Sequence, residues 1–166
     1  MNKVATKKQK DGFDRSLDYD LLEKQLLLNL KKKYLELKVN PSIQKVKAIS
    51  NIVIALIQLK NGSRISEAIE SMEHFCNDLN LKSVEVKISK RKDGAMREII
   101  LPNEIKKDMF VYINNYKVLD FTKKLQIQNK IRDYLNKYYA SNTHSLRYAT
   151  VTKLVEIGTP LNIVSK

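Results

Sequence analysis

The spacing of apolar residues along the chain predicts a mainly helical protein. Apolar positions recur every three or four residues in six separate segments, which is the spacing of helices with a buried face. These segments are residues 17–38, 41–60, 64–79, 103–116, 122–139 and 144–157. No internal repeat and no second domain is evident, so we expect one domain over residues 17–166. Residues 1–16 are basic and lack periodicity, and we expect a disordered tail there.

The helix predicted over residues 41–60 is apolar on most sides, which is typical of a helix at the centre of a core. Asn40 and Pro41 suit its start, since proline fits the first position of a helix. Gly62 suits its end, where a residue in the left-handed conformation commonly follows a helix. Arg64 comes two residues later, so a permanent charge lies at the edge of the predicted core.

The apolar period changes from helical to alternating in SVEVKISKRKDGAMREIILP, residues 83–102. Val84, Val86 and Ile88 alternate with polar residues, and an Asp-Gly pair then offers a tight turn. This pattern predicts a β-hairpin. The predicted fold class is therefore mainly α with a small antiparallel β-sheet, an α+β arrangement.

The charge of the chain points to a polyanionic partner. The 166 residues include 31 Lys+Arg and 18 Asp+Glu, a formal net charge of +13. Such an excess favours nucleic acid first and an acidic membrane surface second. A lysine-rich, solvated surface without a specific partner is the alternative interpretation.

Several classes of protein are excluded by simple features. The longest apolar run, residues 52–57, is too short to span a bilayer, and the basic residues 1–10 lack the apolar stretch of a signal peptide. The one cysteine, Cys76, cannot form an intramolecular disulfide or a cysteine-based zinc site. We interpret His74 and Cys76 as ordinary helix residues and expect a cytoplasmic, nucleoid-associated protein.

Basic residues occur at three places with defined local structure. Arg64 opens a predicted helix, a run of lysines follows the hairpin to its turn, and His144 and Arg147 share the first turn of another helix. Helix starts present free N–H groups that suit phosphate, and arginines bind phosphate oxygens through planar, permanently charged groups. With a lysine or histidine nearby to move a proton, this combination is typical of a phosphoryl-transfer site.

Each group also has an ordinary interpretation. Arg64 can pair with Glu67 or Glu70 on its own helix. His144 and Arg147 can belong to the end of a surface loop, and the hairpin lysines can be a charged edge that discourages aggregation. The order of the three groups and their contexts together favour the functional interpretation.

In this order the groups resemble the motifs of one family. LKNGSRISE resembles a first arginine box, VKISKRKDGAMREIILP a lysine-bearing hairpin, and THSLRYATVTKLVEIGTPLNIV a second box with His-x-x-Arg. The chain thus resembles the tyrosine recombinase, or phage-integrase, family, and its simple charged hairpin is most similar to archaeal and archaeal-virus integrases. The resemblance covers residues 17–166 and implies the family's largely helical catalytic domain with a small β-sheet.

The resemblance implies DNA strand exchange without a metal or other cofactor. A tyrosine attacks a scissile phosphate, which forms a 3′-phosphotyrosyl link and frees a 5′-hydroxyl. Carried over by motif, Arg64 and Arg147 would bind the non-bridging oxygens, and His144 would donate a hydrogen bond or carry a proton. Glu67 would support the site without reacting.

The hairpin would supply the general acid. The resemblance puts that role on a lysine near the turn, either Lys90 or Lys92, which would protonate the leaving oxygen. Lys87, Arg91 and Arg97 would bind DNA around it. The partner would be double-stranded DNA, on which the chains would self-associate, as a tetramer in synapsis.

The chain departs from the family pattern in one important respect. The family's third basic box and nucleophilic tyrosine follow the second box, so we expect them beyond Lys166 and expect this chain alone not to cleave DNA. Tyr138 and Tyr139 are interpreted as helix-face residues, and Tyr148, where the family usually has histidine, lies on the box helix itself. The alternatives are a non-catalytic DNA-binding regulator with the integrase fold and a helical protein that binds an acidic protein.

Overall fold

The computed structural model describes residues 18–159 and, before them, the backbone of two short strands. Strand β1, Lys7–Lys8, pairs antiparallel with β2, Arg15–Ser16. These strands lie in the segment for which the sequence predicts no regular structure. The rest of residues 1–17, and residues 160–166 with the short apolar continuation of the second box, lie outside the described residues.

The described part of the chain contains six α-helices, one 3₁₀ turn at Phe121–Lys123 and a second pair of strands. The helices are α1 Tyr19–Val39, α2 Ile43–Asn61, α3 Ile65–Asn77, α4 Lys107–Tyr116, α5 Lys124–Tyr139 and α6 Thr143–Glu156. The strands are β3 Ser83–Lys87 and β4 Met96–Ile100, which pair antiparallel. The predicted fold class, mainly helical with a small antiparallel sheet, is confirmed.

Helix α2 is the central element, as its sequence predicts. Every side chain from Ile52 to Leu59 is buried. The helix contacts α1, α3, α4, α5 and α6, so its apolar surface is covered on all sides. Burying one such aliphatic side chain contributes about 1.5–3 kcal/mol, so α2 is a rigid base for residues at its end.

Two local predictions about helix geometry are wrong. Ser42, not Asn40, caps α2, because the Ser42 hydroxyl accepts a hydrogen bond from the Lys45 N–H while Asn40 ends α1. The helical spacing of residues 122–139 predicts Leu125 on the buried face, but Leu125 is 69% exposed and Ile127 is buried. The two residues lie about 200° apart around a helix, so only one of them can face the core.

The predicted hairpin is confirmed, but its connection is wider than a two-residue Asp-Gly turn. The ladder pairs Val86 with Arg97, and the connecting loop covers residues 88–95. The Ile88 N–H donates to the Ala95 carbonyl across the base of the loop. Lys90 has a positive φ of 70°, which is unusual for a residue other than glycine. The loop therefore bends at Lys90, before the predicted turn.

Within residues 18–159 no helix combines the length and the apolar character needed to cross a membrane.

Candidate active site

The site is built on the turn between α2 and α3. Gly62 ends α2 in the left-handed conformation, with φ +59°. A Cβ atom at this position would lie 3.1 Å from Thr150 Cγ2 of α6, so the turn also packs closely against a neighbouring helix. Glycine is therefore favoured here both by the backbone conformation and by the small space. Arg64 follows this turn and is the N-cap residue of α3.

Helix α6 is fixed to the same turn. The Thr150 hydroxyl donates to the Leu59 carbonyl, and the Gln58 amide donates to the Thr143 carbonyl at 2.6 Å. Arg147 Nη1 donates to the Gly62 carbonyl oxygen at 2.7 Å. The two arginines that the sequence predicts to act together thus come from different helices and meet at one turn.

A buried carboxylate organises the site. Glu67 is fully buried and lies in the first turn of α3, where its Oε2 accepts a hydrogen bond from the Arg64 N–H at 3.1 Å. Arg97 Nη1 of β4 lies 3.2 Å from the same oxygen. The other oxygen, Oε1, accepts from the Ser89 N–H and hydroxyl at 3.0 and 2.9 Å, and lies 3.3 Å from Arg64 Nη1.

These contacts keep Glu67 ionised. Burial by itself would raise the pKa of the carboxyl, because a buried carboxylate loses its hydration. The hydrogen bond from Arg64, the charge of Arg97 and the two hydrogen bonds from Ser89 outweigh burial and lower the pKa below its ordinary value. The carboxylate therefore remains charged and joins α3 to both sides of the hairpin loop.

The site carries more positive charge than its carboxylate can neutralise. Burial lowers the pKa of the Arg147 guanidinium, and the nearby charges of Arg64 and Arg97 lower it further, while Glu67 raises it. Three guanidinium groups are thus close enough to repel one another, with one buried carboxylate among them. Such a cluster suits an anionic ligand, which would relieve the repulsion.

His144 lies one turn before Arg147 at the start of α6. The helix is capped by Asn142, whose side-chain oxygen accepts a hydrogen bond from the Ser145 N–H at 2.9 Å. The His144 side chain is exposed, and its ring packs edge-on against Tyr148 with 4.6 Å between ring centroids. His144 is therefore accessible on the same helical turn as Arg147.

One lysine of the hairpin loop follows a residue that contacts Glu67. Lys90 directly follows Ser89, so the two hydrogen bonds to Glu67 fix the backbone from which Lys90 extends. Lys90 and Lys87 line a surface depression of about 270 Å³ beside Glu67. Lys92 is exposed further along the loop.

Two other hairpin residues have different surroundings. Arg91, predicted to bind DNA, is exposed and forms an ion pair with Asp93. Arg97, also predicted to bind DNA, has a side chain that is only 13% exposed and is paired with Glu67. Sequence reasoning missed this pairing, although the β3–β4 alternation already puts Arg97 on the same side of its strand as the buried Ile99. It also missed Ser89, for which the sequence carries no signal.

All eight tyrosines lie within the described residues. Tyr139 is fully buried and its hydroxyl accepts a hydrogen bond from Asn29 at 2.8 Å. Burial raises the pKa of Tyr134, which packs against Tyr138 and Tyr139. Tyr148 is exposed but lies on the same helix as Arg147, with its ring held against His144.

Comparison with known proteins assigns the chain to a family. The chain is 36% identical to an uncharacterized protein of Methanocaldococcus jannaschii, over 98% of this chain and 80% of the relative. It is 33% identical to "Putative integrase V10" of Sputnik virophage, over 93% of this chain and 79% of the relative. The chain belongs to this integrase family. The integrase-family similarity extends to "Putative integrase ORF241" of Acidianus two-tailed virus, at 31% identity over 96% of this chain and 60% of that protein. No family model and no solved structure matches this chain.

Proposed function

We propose that the chain is the DNA-binding catalytic domain of a tyrosine recombinase, which cleaves and rejoins DNA during integration through a 3′-phosphotyrosyl intermediate. The observation that carries the proposal is a cluster of three arginines around one buried carboxylate. Arg64 and Arg97 contact Glu67, and Arg147 lies within range of their charges. The excess positive charge suits a phosphate diester of the DNA backbone. The integrase names of two viral relatives support DNA as the substrate.

Arg64 and Arg147 are proposed to bind the two non-bridging oxygens of the scissile phosphate. Both arginines are held at the end of α2. Arg64 follows the Gly62 turn directly, and Arg147 donates a hydrogen bond to the Gly62 carbonyl. Partial burial of Arg147 strengthens its attraction for a phosphate, because charges interact more strongly where water is excluded. The charge that develops on the phosphate oxygens in the transition state would meet donors that are already in position.

Lys90 is the proposed general acid. The tyrosine would lose its hydroxyl proton to water as its oxygen bonds to phosphorus. As the bond to the 5′ oxygen breaks, Lys90 would give its proton to that oxygen and leave a 5′-hydroxyl. The tether through Ser89 and the position of Lys90 beside Glu67 support it over Lys92. His144, accessible one turn from Arg147, would donate a further hydrogen bond to the phosphate.

The nucleophile is proposed to be a tyrosine other than the eight of this chain. Tyr139 is buried, and Tyr148 is held against His144 on the helix that carries Arg147. Assembly of several subunits on double-stranded DNA, as a tetramer in synapsis, would allow this chain to use a tyrosine supplied by a different polypeptide. Association with the nucleoid follows from the same proposal.

The test uses a pool of nicked DNA duplexes of randomised sequence, on which a covalent protein–DNA adduct is trapped because the leaving fragment diffuses away. The chain alone should form no adduct, and adding a polypeptide segment that supplies a nucleophilic tyrosine should produce one. Arg64→Ala should abolish the adduct. The matched control is Arg132→Ala, which removes an equal charge from an exposed position on α5 paired with Asp133.

The second candidate is a non-catalytic DNA-binding regulator, favoured by the burial of Tyr139 and by the position of Tyr148 against His144 on the helix that carries Arg147. A regulator would bind DNA in a salt-dependent manner. It would form no adduct even when the tyrosine-bearing segment is added, and Arg64→Ala would leave its function intact. An adduct formed by the 166 residues alone would overturn the assignment of the nucleophile. DNA binding without salt dependence would contradict both candidates.

A further inference from the structure

Helix α1 has two apolar sides. Its buried leucines, Leu22, Leu26, Leu30 and Leu37, pack into the core. A second row, Leu21, Leu28 and Leu35, is 38%, 57% and 54% exposed. At 100° per residue this second row lies almost opposite the centre of the buried one. A soluble helix with one buried face ordinarily carries polar residues there, so the exposed row indicates a surface that binds something.

The exposed row repeats every seven residues, which is the repeat of helix-to-helix packing. Leu21 and Leu35 are two heptads apart, about 21 Å along the helix axis. Residues at this spacing stay on one seam when a second helix packs alongside. A shallow depression between Lys24 and Lys31, lined by Leu27 and Leu28, gives the seam a recess for a partner side chain.

A row of lysines accompanies the leucines. Lys24, Lys31 and Lys38 follow the three leucines at the same seven-residue spacing, and all three are exposed. Lys32 is exposed on the other side of the leucine row. The seam is therefore apolar along its centre, with a row of lysines on one side and Lys32 on the other. Lys38 also pairs with Asp108. The acidic residues of the depression, Asp20 and Glu23, pair with lysines of other helices.

We propose that this seam, formed by Leu21, Leu28 and Leu35 with the flanking lysines, binds an acidic amphipathic helix of another protein. The partner helix would place an apolar residue in each heptad against the leucines and carboxylates against the lysines. The surface lies on α1 and uses none of the residues assigned to phosphate binding. It adds a protein-binding function that does not depend on the proposed chemistry.

A second copy of this chain fits the seam poorly. In an antiparallel pair around Leu28 the row of Lys24 and Lys31 would face the same row of the other helix, and in a parallel pair this row would face the side that carries Lys32. Like charges at these flanking positions weaken helix pairing, and the net charge of +13 opposes self-association further. DNA would satisfy the lysines but would leave the leucines against charged phosphates.

The experiment measures binding of a fluorescently labelled three-heptad peptide with leucine at the seam positions and glutamate beside them. We expect saturable binding that rises at low salt, because the flanking charges contribute. A peptide with lysine in place of each glutamate should bind at least about tenfold more weakly. Leu28→Ser should weaken binding of the acidic peptide about tenfold, since it removes the central leucine.

The matched control is Leu125→Ser, which replaces another exposed leucine, on α5, and should change affinity less than about twofold. Leu28 is exposed, so its substitution leaves the fold intact, which circular dichroism checks. The proposal is overturned if the acidic peptide does not bind or binds Leu28→Ser equally well. It is also overturned if Leu28→Ser instead abolishes a dimer seen by sedimentation, or binding to phosphatidylserine vesicles.

Discussion

Ser89 donates two hydrogen bonds, from its N–H and its hydroxyl, to one oxygen of the buried Glu67 carboxylate. This contact joins a loop that the sequence shows only as a lysine-rich turn to the first turn of α3. It gives Lys90 a defined starting point, because Lys90 is the next residue along the chain. Ser89, which has no proposed catalytic role, thus fixes the backbone next to Lys90, the proposed general acid.

Replacement of Ser89 should loosen this connection. Ser89→Ala removes the hydroxyl donor and leaves one hydrogen bond to a charged acceptor unmade, so we expect the free energy of unfolding to fall by about 1.5–3 kcal/mol. Ser66→Ala is the control, since the exposed Ser66 hydroxyl donates to Ser89 rather than to the carboxylate. Urea titrations should show a loss below about 1 kcal/mol for the control. Equal losses in the two variants would contradict the role given to Ser89.

The charge of Glu67 predicts a dependence of stability on pH. Its pKa in the folded protein lies below the ordinary value, so ionisation stabilises the fold above about pH 4.3, the ordinary range of glutamate. This stabilisation is lost as the pH falls through the lower pKa of the folded state. Glu67→Gln breaks the buried ion pair with Arg97 and should cost about 3–5 kcal/mol at pH 7.

Thermal unfolding of Glu67→Gln and the unmodified chain between pH 7 and pH 3 measures this dependence. The difference in melting temperature should be largest at neutral pH and should narrow toward pH 3. A difference that stays constant over this range would show that Glu67 is not an ionised centre of the site.

Gly62 should tolerate substitution less well than another glycine in the same backbone region. Gly62 and Gly94 have φ of +59° and +71°, so alanine at either position costs about 1–2 kcal/mol in the backbone. Only at Gly62 would the added Cβ also approach Thr150 Cγ2, whereas Gly94 has open space. Gly62→Ala should therefore destabilise the chain more than Gly94→Ala in urea unfolding.

Thr150→Ser removes the methyl group that Gly62→Ala would meet and keeps the hydroxyl that donates to Leu59. In the double variant the cost of Gly62→Ala should fall toward that of Gly94→Ala. If the double variant is no more stable than the sum of the two single changes predicts, the contact between the turn and α6 is not the cause.

Cys76 should be unreactive in the folded protein. Burial in α3 raises the pKa of its thiol to about 12, so almost none of it is thiolate at pH 8. A thiol-specific disulfide reagent should modify Cys76 only after urea unfolds the chain. Rapid modification of the folded protein would contradict its interpretation as an ordinary helix residue.

The helices and the fold class could be predicted from the sequence because their signals are local. The apolar character of α2 and the glycine after it are both visible in a few consecutive residues. The role of Arg97 could not be predicted, since its partner Glu67 lies 30 residues earlier and the pair forms only when the hairpin packs on α3. Ser89 was missed for the same reason. The exposure of Leu28 and Leu35 could not be predicted either, because periodicity does not separate two apolar faces of a single helix.

The central claim is that the arginines around Glu67 form a phosphate site, and NMR of the arginine side chains tests it most directly. Titration with inorganic phosphate should shift the Nε–H signals of Arg64 and Arg147 in a saturable manner, with Arg132 unaffected as an exposed reference. Glu67→Gln should disturb both signals before phosphate is added, because the cluster loses its central carboxylate. Small, linear shifts of all arginines alike, unchanged by Glu67→Gln, would contradict the claim.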